Sequence, residues 1–210
     1  MVLGSWLALS TVLVALGLGL SAWVFDGPLG QWDLDVTEWL ERQRTTTMND
    51  LSGFGSQLAD TRTIVIGAGG VAALLLLRFR QEALLVVLAP AIEVTAFLVA
   101  TFVVDRDRPP VEQLDAAPPT SSFPSGHVAA AFAFYLAAAL VAANRLRSPV
   151  ARLVVCSAAV LVPFWVAWSR LARGMHYPTD VVVGAVAGVV CVLLAVLVVR
   201  TVWVVDSGAS

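Results

Sequence analysis

Long hydrophobic stretches, separated by short polar segments, dominate the chain and predict its elements. A helix needs about 20 mostly apolar residues to cross a bilayer, within a range of roughly 17–25. Six stretches approach this length, and we predict that each forms a membrane-spanning helix: Val2–Phe25, the residues between Arg62 and Arg78, Ala83–Val104, Val128–Asn144, Leu153–Ser169 and Val181–Val199. The second is short, but its flanking arginines can extend their side chains to the membrane surface.

The polar segment between the first and second spans has a pattern of its own. In QWDLDVTEWLERQRTTTMNDLSGFG, the residues Leu34, Trp39 and Leu40 recur at helical spacing among acidic and polar side chains. This pattern is typical of a helix that lies in the membrane interface. We therefore predict one amphipathic interfacial helix followed by a loop. The whole chain is predicted to be all-α, an integral membrane bundle of six transmembrane helices forming a single domain, residues 1–210.

The composition supports a membrane protein and excludes some partners. Hydrophobic residues make up 59% of the chain and charged residues 13%, whereas soluble domains have about 45–50% and about 25%. The net charge of −2 provides no basic field for a nucleic-acid partner. Cys156 and Cys191 lie inside apolar runs, so we expect small buried side chains there rather than a disulfide or a metal site.

The arginines predict an orientation in the membrane. The first span lacks the basic start of a signal peptide, so we expect a retained helix, with cleavage near Ser21 as the alternative. With the N-terminus inside, the inner segments hold Arg78, Arg80, Arg145, Arg147, Arg152 and Arg200. This agrees with the positive-inside rule. Four arginines fall on the outer side and invite another explanation: Arg106, Arg108, Arg170 and Arg173.

Three polar segments are expected to meet on that outer side. DRDRPP (Asp105–Pro110) follows the third span, PSGH (Pro124–His127) begins the fourth, and SRLARGMHYPTD (Ser169–Asp180) connects the fifth and sixth. Because two crossings separate the second segment from the third, all three emerge on the same face of the membrane. They contain both histidines of the chain, His127 and His176. Segments that are distant in sequence but converge in space are what a catalytic site requires.

The residue types in these segments suit phosphate chemistry. Guanidinium groups match phosphate oxygens, and the N–H groups of a helix start at Ser125 and Gly126 favour an anion. Asp180 lies four residues after His176, so we expect its carboxylate to reach the imidazole and fix its tautomer. Each signal is weak when taken singly. A purely structural explanation of all of them together is the less favoured alternative.

The three segments resemble the motifs of the type 2 phosphatidic acid phosphatase superfamily, the membrane branch related to vanadium haloperoxidases. The second motif, Pro-Ser-Gly-His, is matched by Pro124–His127. The third, Ser-Arg-x5-His-x3-Asp, is matched in full by Ser169, Arg170, His176 and Asp180. The first, Lys-x6-Arg-Pro, is matched at Arg108 and Pro109, but Thr101 stands in place of the lysine.

This resemblance implies metal-independent and cofactor-independent hydrolysis of a lipid phosphate through a phosphohistidine. His176 would be the nucleophile, oriented by Asp180, while His127 would protonate the leaving oxygen and then activate water. The phosphate-binding residues would be Arg108, Ser125, Gly126 and Arg170, with Arg106 and Arg173 as substitutes for the missing lysine. The substrate classes that the resemblance implies are polyprenyl pyrophosphate, phosphatidate and phosphatidylglycerophosphate, presented at the extracytoplasmic face of a bacterial-type plasma membrane.

Several alternatives stay open at this point. The same site could serve a lipid headgroup phosphotransferase, or a non-catalytic binder or transporter of lipid phosphates. Glu93, inside the third span, could anchor an arginine or a water beneath the site, or form a hydrogen bond between helices. Gly184 and Gly188 allow a close helix approach, which we expect inside the bundle, with a homodimer as the minority interpretation.

Overall fold

The computed structural model describes residues 2–24 and 27–208, and every regular element within those ranges is helical. The all-α prediction is therefore confirmed. The α-helices are α1 (Val2–Gly19), α2 (Pro28–Arg42), α3 (Thr46–Gln57), α4 (Thr61–Leu76), α5 (Arg80–Val103), α6 (Gly126–Arg145), α7 (Pro149–Ala172) and α8 (Pro178–Gly208). A π-helical turn, Leu20–Val24, continues α1.

The described residues provide five candidate spans, or six when one bent pair is counted. Helices α1, α5, α6, α7 and α8 are each long and apolar enough to cross a membrane. Helix α4 has only 16 residues, but it meets α3 at a bend of 47°, and the two together qualify as one broken span. The predicted second span is thus half of a bent pair. Phe25, the last residue of the predicted first span, lies outside the described residues.

The segment between the first two spans differs from the prediction in its second half. Helix α2 forms where the amphipathic pattern indicated one, but the residues predicted as a loop form α3. Its start is capped by Thr45, whose side chain accepts a hydrogen bond from the Met48 N–H at 3.2 Å. Its other end packs on α7, where the rings of Phe54 and Trp165 lie 5.4 Å apart. Tertiary packing therefore stabilises a helix that the polar sequence did not indicate.

Helix α6 occupies the centre of the bundle and packs against α4, α5, α7 and α8. Its inner face is rich in alanine, which lets the neighbouring helices approach closely. A Cβ atom at Gly184 of α8 would lie 2.6 Å from the Ser125 carbonyl, and one at Gly188 would lie 2.5 Å from the Ala129 carbonyl. Both glycines are buried against α6 within the chain. We therefore do not propose a homodimer through them.

The outward faces of the helices are strongly apolar. Leu74 of α4 is 85% exposed and Phe102 of α5 is 81% exposed. Exposing such faces to water is unfavourable, whereas contact with the hydrocarbon of a bilayer is favourable. The exposed apolar side chains and the candidate spans identify an integral membrane protein.

Candidate active site

A cavity of about 660 Å³ lies where the three motif segments meet, between α4, α5 and α6. Five of the nine predicted site residues line it: Arg108, Gly126, His127, Arg170 and His176. The other four, Arg106, Ser125, Arg173 and Asp180, are not among its lining residues. The structure thus brings both histidines and two guanidinium groups to one cavity, although they come from separate helix ends.

His176 is fixed by a backbone carbonyl. Its Nδ1 atom lies 2.7 Å from the carbonyl oxygen of Ser122. Because a carbonyl only accepts hydrogen bonds, Nδ1 carries the proton and the lone pair is on Nε2. Burial, followed by the positive charges of Arg170 and Arg108, lowers the pKa of His176 well below its ordinary value of 6.5. The imidazole is therefore neutral at neutral pH, the form in which it can act as a nucleophile.

Asp180 does not make the direct bond to His176 that the four-residue spacing predicted. Its Oδ2 atom lies 3.9 Å from Nδ1 of His176, which is too long for a hydrogen bond. Instead, Oδ2 accepts hydrogen bonds from the Ser122 hydroxyl at 2.5 Å and from the Tyr177 N–H at 3.0 Å. Asp180 therefore orients the imidazole through Ser122, whose carbonyl holds Nδ1. The motif spacing could not reveal Ser122, since it holds His176 through its backbone carbonyl and lies outside the three motifs.

Arg106 lies behind the cavity in a buried ion network. Its guanidinium pairs with Asp180, and it donates to Asp33 Oδ2 at 2.9 Å and to Thr179 Oγ1 at 2.8 Å. Its guanidinium carbon also lies 4.4 Å from the centre of the Tyr177 ring. Arg106 is only 4% exposed. This placement does not support its predicted role as a substitute for the missing lysine, because two carboxylates already engage its Nη atoms.

Arg170 and Arg173 share one carboxylate, that of Asp115 in the loop before α6. Arg170 Nη1 lies 2.6 Å from Asp115 Oδ2 and 2.6 Å from Ser56 Oγ, and Arg173 Nη2 lies 2.6 Å from Asp115 Oδ1. Partial burial favours the neutral acid, but the hydrogen bond from Arg173 and the charges of both arginines outweigh it and lower the pKa of Asp115. Arg170 lines the cavity, whereas Arg173 holds Asp115 from outside it.

Arg108 enters the cavity from the loop after α5. Its Nη1 donates to the Met175 carbonyl at 2.7 Å, and its Nη2 donates to the Thr120 carbonyl at 3.4 Å. Burial lowers the pKa of Arg108 and the charge of Asp180 opposes this effect, but a guanidinium stays protonated at neutral pH. Among the described residues, no group of three or more His, Cys, Asp or Glu side chains could hold a metal ion.

The start of α6 presents polar groups near the cavity. Ser125 is the N-cap residue, and its buried hydroxyl has no hydrogen-bond partner among the described residues. Gly126 lines the cavity, and the first N–H groups of a helix have no partner within it. Thr101, at the position of the family lysine, is buried but does not line the cavity. No side chain thus replaces the lysine from that position.

His127 has a carboxylate partner that the sequence did not indicate. Its Nε2 atom lies 3.2 Å from Oδ1 of Asp60, the N-cap residue of α4. The Asp60 carboxylate can accept a hydrogen bond from this ring nitrogen and so fix the orientation of the imidazole. Asp60 lies at the bend of the broken span, in a segment with no recognisable motif. Only the fold reveals this pair.

Comparisons with solved structures show the same fold. The first transmembrane PAP2 type phosphatidylglycerolphosphate phosphatase from Bacillus subtilis is 21% identical, with a TM-score of 0.73 and coverage of 94% of each chain. LpxE from Aquifex aeolicus is 20% identical, with a TM-score of 0.61, and covers 77% of this chain and 93% of its own. No curated protein sequence matches the chain.

A comparison of the sequence with family models gives the same assignment as the motifs. The model of the PAP2 superfamily matches residues 82–203, a range that contains all three motif segments and more than half of the 210 residues. The chain belongs to the PAP2 superfamily.

Proposed function

We propose that the protein hydrolyses a lipid phosphate or pyrophosphate through a phosphohistidine intermediate, without a metal ion. The observation that carries this proposal is the hydrogen bond from His176 Nδ1 to the Ser122 carbonyl. Because Nδ1 holds the proton, the lone pair is on Nε2, which points away from that carbonyl. Two guanidinium groups and a second imidazole line the same cavity as this nucleophile. Together they provide the parts needed to hold, attack and release a phosphoryl group.

The first chemical step transfers the phosphoryl group to the enzyme. Nε2 of neutral His176 forms a bond to phosphorus as the bond from phosphorus to the lipid oxygen breaks. His127, which Asp60 holds in place, donates a proton to that oxygen as the general acid, so the lipid leaves as an alcohol or, from a pyrophosphate, as a monophosphate. Arg108 and Arg170 stabilise the charge on the phosphoryl oxygens as the bonds change.

The second step returns the enzyme to its starting state. His127, now neutral, removes a proton from water, and the resulting hydroxide oxygen attacks phosphorus as the bond from phosphorus to Nε2 of His176 breaks. Inorganic phosphate leaves, while His176 is neutral again and His127 is protonated again. Every proton and bond is accounted for by the two histidines, the substrate and one water molecule.

The apolar wall of the cavity supports a lipid substrate. Beyond the polar residues, the cavity continues between α4 and α5 and is lined there by side chains such as Ile64, Val65, Val87 and Val94. A headgroup can bind at the motif segments while its chains extend along this wall. Phosphatidylglycerophosphate, phosphatidate and polyprenyl pyrophosphate are the candidate classes. The distribution of the arginines supports a site on the extracytoplasmic face.

Replacing Arg170 with alanine should lower kcat/KM by about 10²–10³-fold, the usual cost of removing one preorganised donor to the transition state. Arg173→Ala is the matched control, because Arg173 binds the same Asp115 carboxylate but does not line the cavity. Its effect should be much smaller. Phosphate release from a lipid phosphate in detergent measures both. Equal losses in the two variants would contradict the assignment of Arg170 to phosphate binding.

The value of kcat/KM should fall in acid only at a lower pH than an ordinary histidine would give. The pKa of His176 is lowered, so this imidazole stays neutral down to pH values below 6.5 and loses its nucleophilicity only as the pH falls through the lowered pKa. We expect kcat/KM to fall on the acid side with a midpoint below 6.5. An acid limb above pH 6.5 would contradict a neutral nucleophile.

A further inference from the structure

Glu93 of α5 is a buried carboxyl group that the proposed reaction does not use. It is only 5% exposed and lines the same cavity as both histidines. Two of the roles expected from the sequence are not observed, because among the described residues the structure shows no ion pair of Glu93 with an arginine and no hydrogen bond of its side chain to another helix. The carboxyl group is therefore available to whatever occupies the cavity.

The depth of Glu93 relative to the phosphate region follows from its helix. Phe97 lies beside the start of α6, since a Cβ atom at Gly126 would be 2.9 Å from its ring. Glu93 precedes Phe97 by four residues, which corresponds to about 6 Å along an α-helix. Glu93 is therefore about one helical turn farther into the bundle than Gly126. A lipid whose phosphate lies at the start of α6 would therefore place the part that follows its headgroup at this depth.

The surroundings favour the neutral carboxylic acid. An ionised carboxylate without a cationic partner is costly inside a membrane span. The residues beside it on the same wall, including Pro90, Ala91 and Val94, have apolar side chains. A neutral carboxylic acid offers one hydrogen-bond donor and one carbonyl acceptor. An acceptor in the lipid at this depth would satisfy the donor, whereas a pure hydrocarbon chain would leave it unpaired.

We propose that Glu93 is a specificity residue that donates a hydrogen bond to an ester carbonyl of a glycerolipid. This inference rests on the proposed function and names its substrate class. In an acylated glycerol phosphate, the ester carbonyls lie a few bonds from phosphorus, whereas a polyprenyl phosphate has hydrocarbon at the same depth. The enzyme therefore prefers acyl glycerophosphate lipids, the class of phosphatidate and phosphatidylglycerophosphate, to polyprenyl substrates.

The test compares two lipids that differ only at the carbonyl. Phosphatidate and its dialkyl ether analogue carry the same phosphate and chains of the same length. One neutral hydrogen bond contributes about 0.5–1.5 kcal/mol, so the ester substrate should have a kcat/KM roughly threefold to tenfold higher in the wild-type protein. Glu93→Leu should abolish this preference, and Glu93→Gln should retain it because the amide is also a donor. A short aryl phosphate, which does not reach Glu93, serves as the control for folding and chemistry.

The outcomes separate this inference from the proposed function. Equal rates for ester and ether lipids in the wild-type protein, or an undiminished preference in Glu93→Leu, would overturn the role of Glu93 while leaving the phosphatase activity intact. A wild-type protein that hydrolyses neither the lipids nor the aryl phosphate would overturn the proposed function and this inference with it. Loss of the preference in Glu93→Leu, with unchanged aryl phosphate turnover, is the result that we expect.

Discussion

Replacing His176 with alanine should lower kcat by about 10⁴-fold or more, because the variant has no nitrogen with which to form the phosphoryl-enzyme bond. The loss should be as large for a soluble aryl phosphate as for a lipid phosphate, since both need the same nucleophile. Release of inorganic phosphate by the purified protein in detergent measures it. The prediction also separates an enzyme from a lipid-phosphate binder or transporter, in which the imidazole would have no chemical role.

Two controls make the His176 result interpretable. Binding of a non-hydrolysable lipid phosphonate should persist in His176→Ala, because Arg108 and Arg170 still line the cavity. His127→Ala should lose less kcat/KM with a substrate whose leaving group is a weak base, since kcat/KM reports the first step and such a group departs without a proton. Undiminished phosphate release by His176→Ala would show that another group attacks phosphorus.

Asp33→Ala should reduce the free energy of unfolding by about 3–5 kcal/mol, which is typical when one partner of a buried ion pair is removed. Asp33 accepts hydrogen bonds from Arg106, from the Thr179 hydroxyl at 2.5 Å and from the Thr179 N–H at 3.0 Å. Without it, the buried guanidinium loses one of its two carboxylates, and Thr179 at the start of α8 loses its hydrogen bonds to α2. Denaturant unfolding in detergent measures the change.

Asp35 is the matched control for Asp33. It lies two residues farther along α2 and is exposed to solvent, so Asp35→Ala should change the stability very little. Equal stabilities of the Asp33→Ala and Asp35→Ala proteins would contradict the buried network.

The fold was predictable from the sequence where hydrophobic length determines it. A stretch long enough to cross a bilayer has few alternatives to a helix, so α5, α6, α7 and α8 follow from the pattern alone. Helix α3 did not, because its stability comes from contacts with α7 rather than from apolar periodicity. The bend between α3 and α4 also has no local signal, although it brings Asp60 to His127.

The chemistry of the site was predictable only where it lies in motifs. The motif residues correctly indicated that His127, His176, Arg108 and Arg170 share one cavity. Their supporting partners were not predictable, for physical reasons that differ. Ser122 contributes a backbone carbonyl, which any residue has, and Asp33 comes from a helix whose contact with α8 no spacing indicates. For Arg106 the sequence suggested a phosphate-binding role that the structure does not support. Arg106 lies in the first motif segment, but its guanidinium pairs with two carboxylates behind the cavity.

Trapping the covalent intermediate tests the central claim most directly. His127→Ala should accept a phosphoryl group from an aryl phosphate with a weakly basic leaving group, but should hydrolyse the intermediate slowly because it lacks the base for the second step. The phosphorus of the aryl phosphate is radiolabelled, and the reaction is quenched with alkali, which preserves a bond between phosphorus and an imidazole nitrogen. We predict one label per protein, on the peptide that contains His176. Release of the aryl alcohol with no label on the protein, or with the label on another residue, would contradict the account.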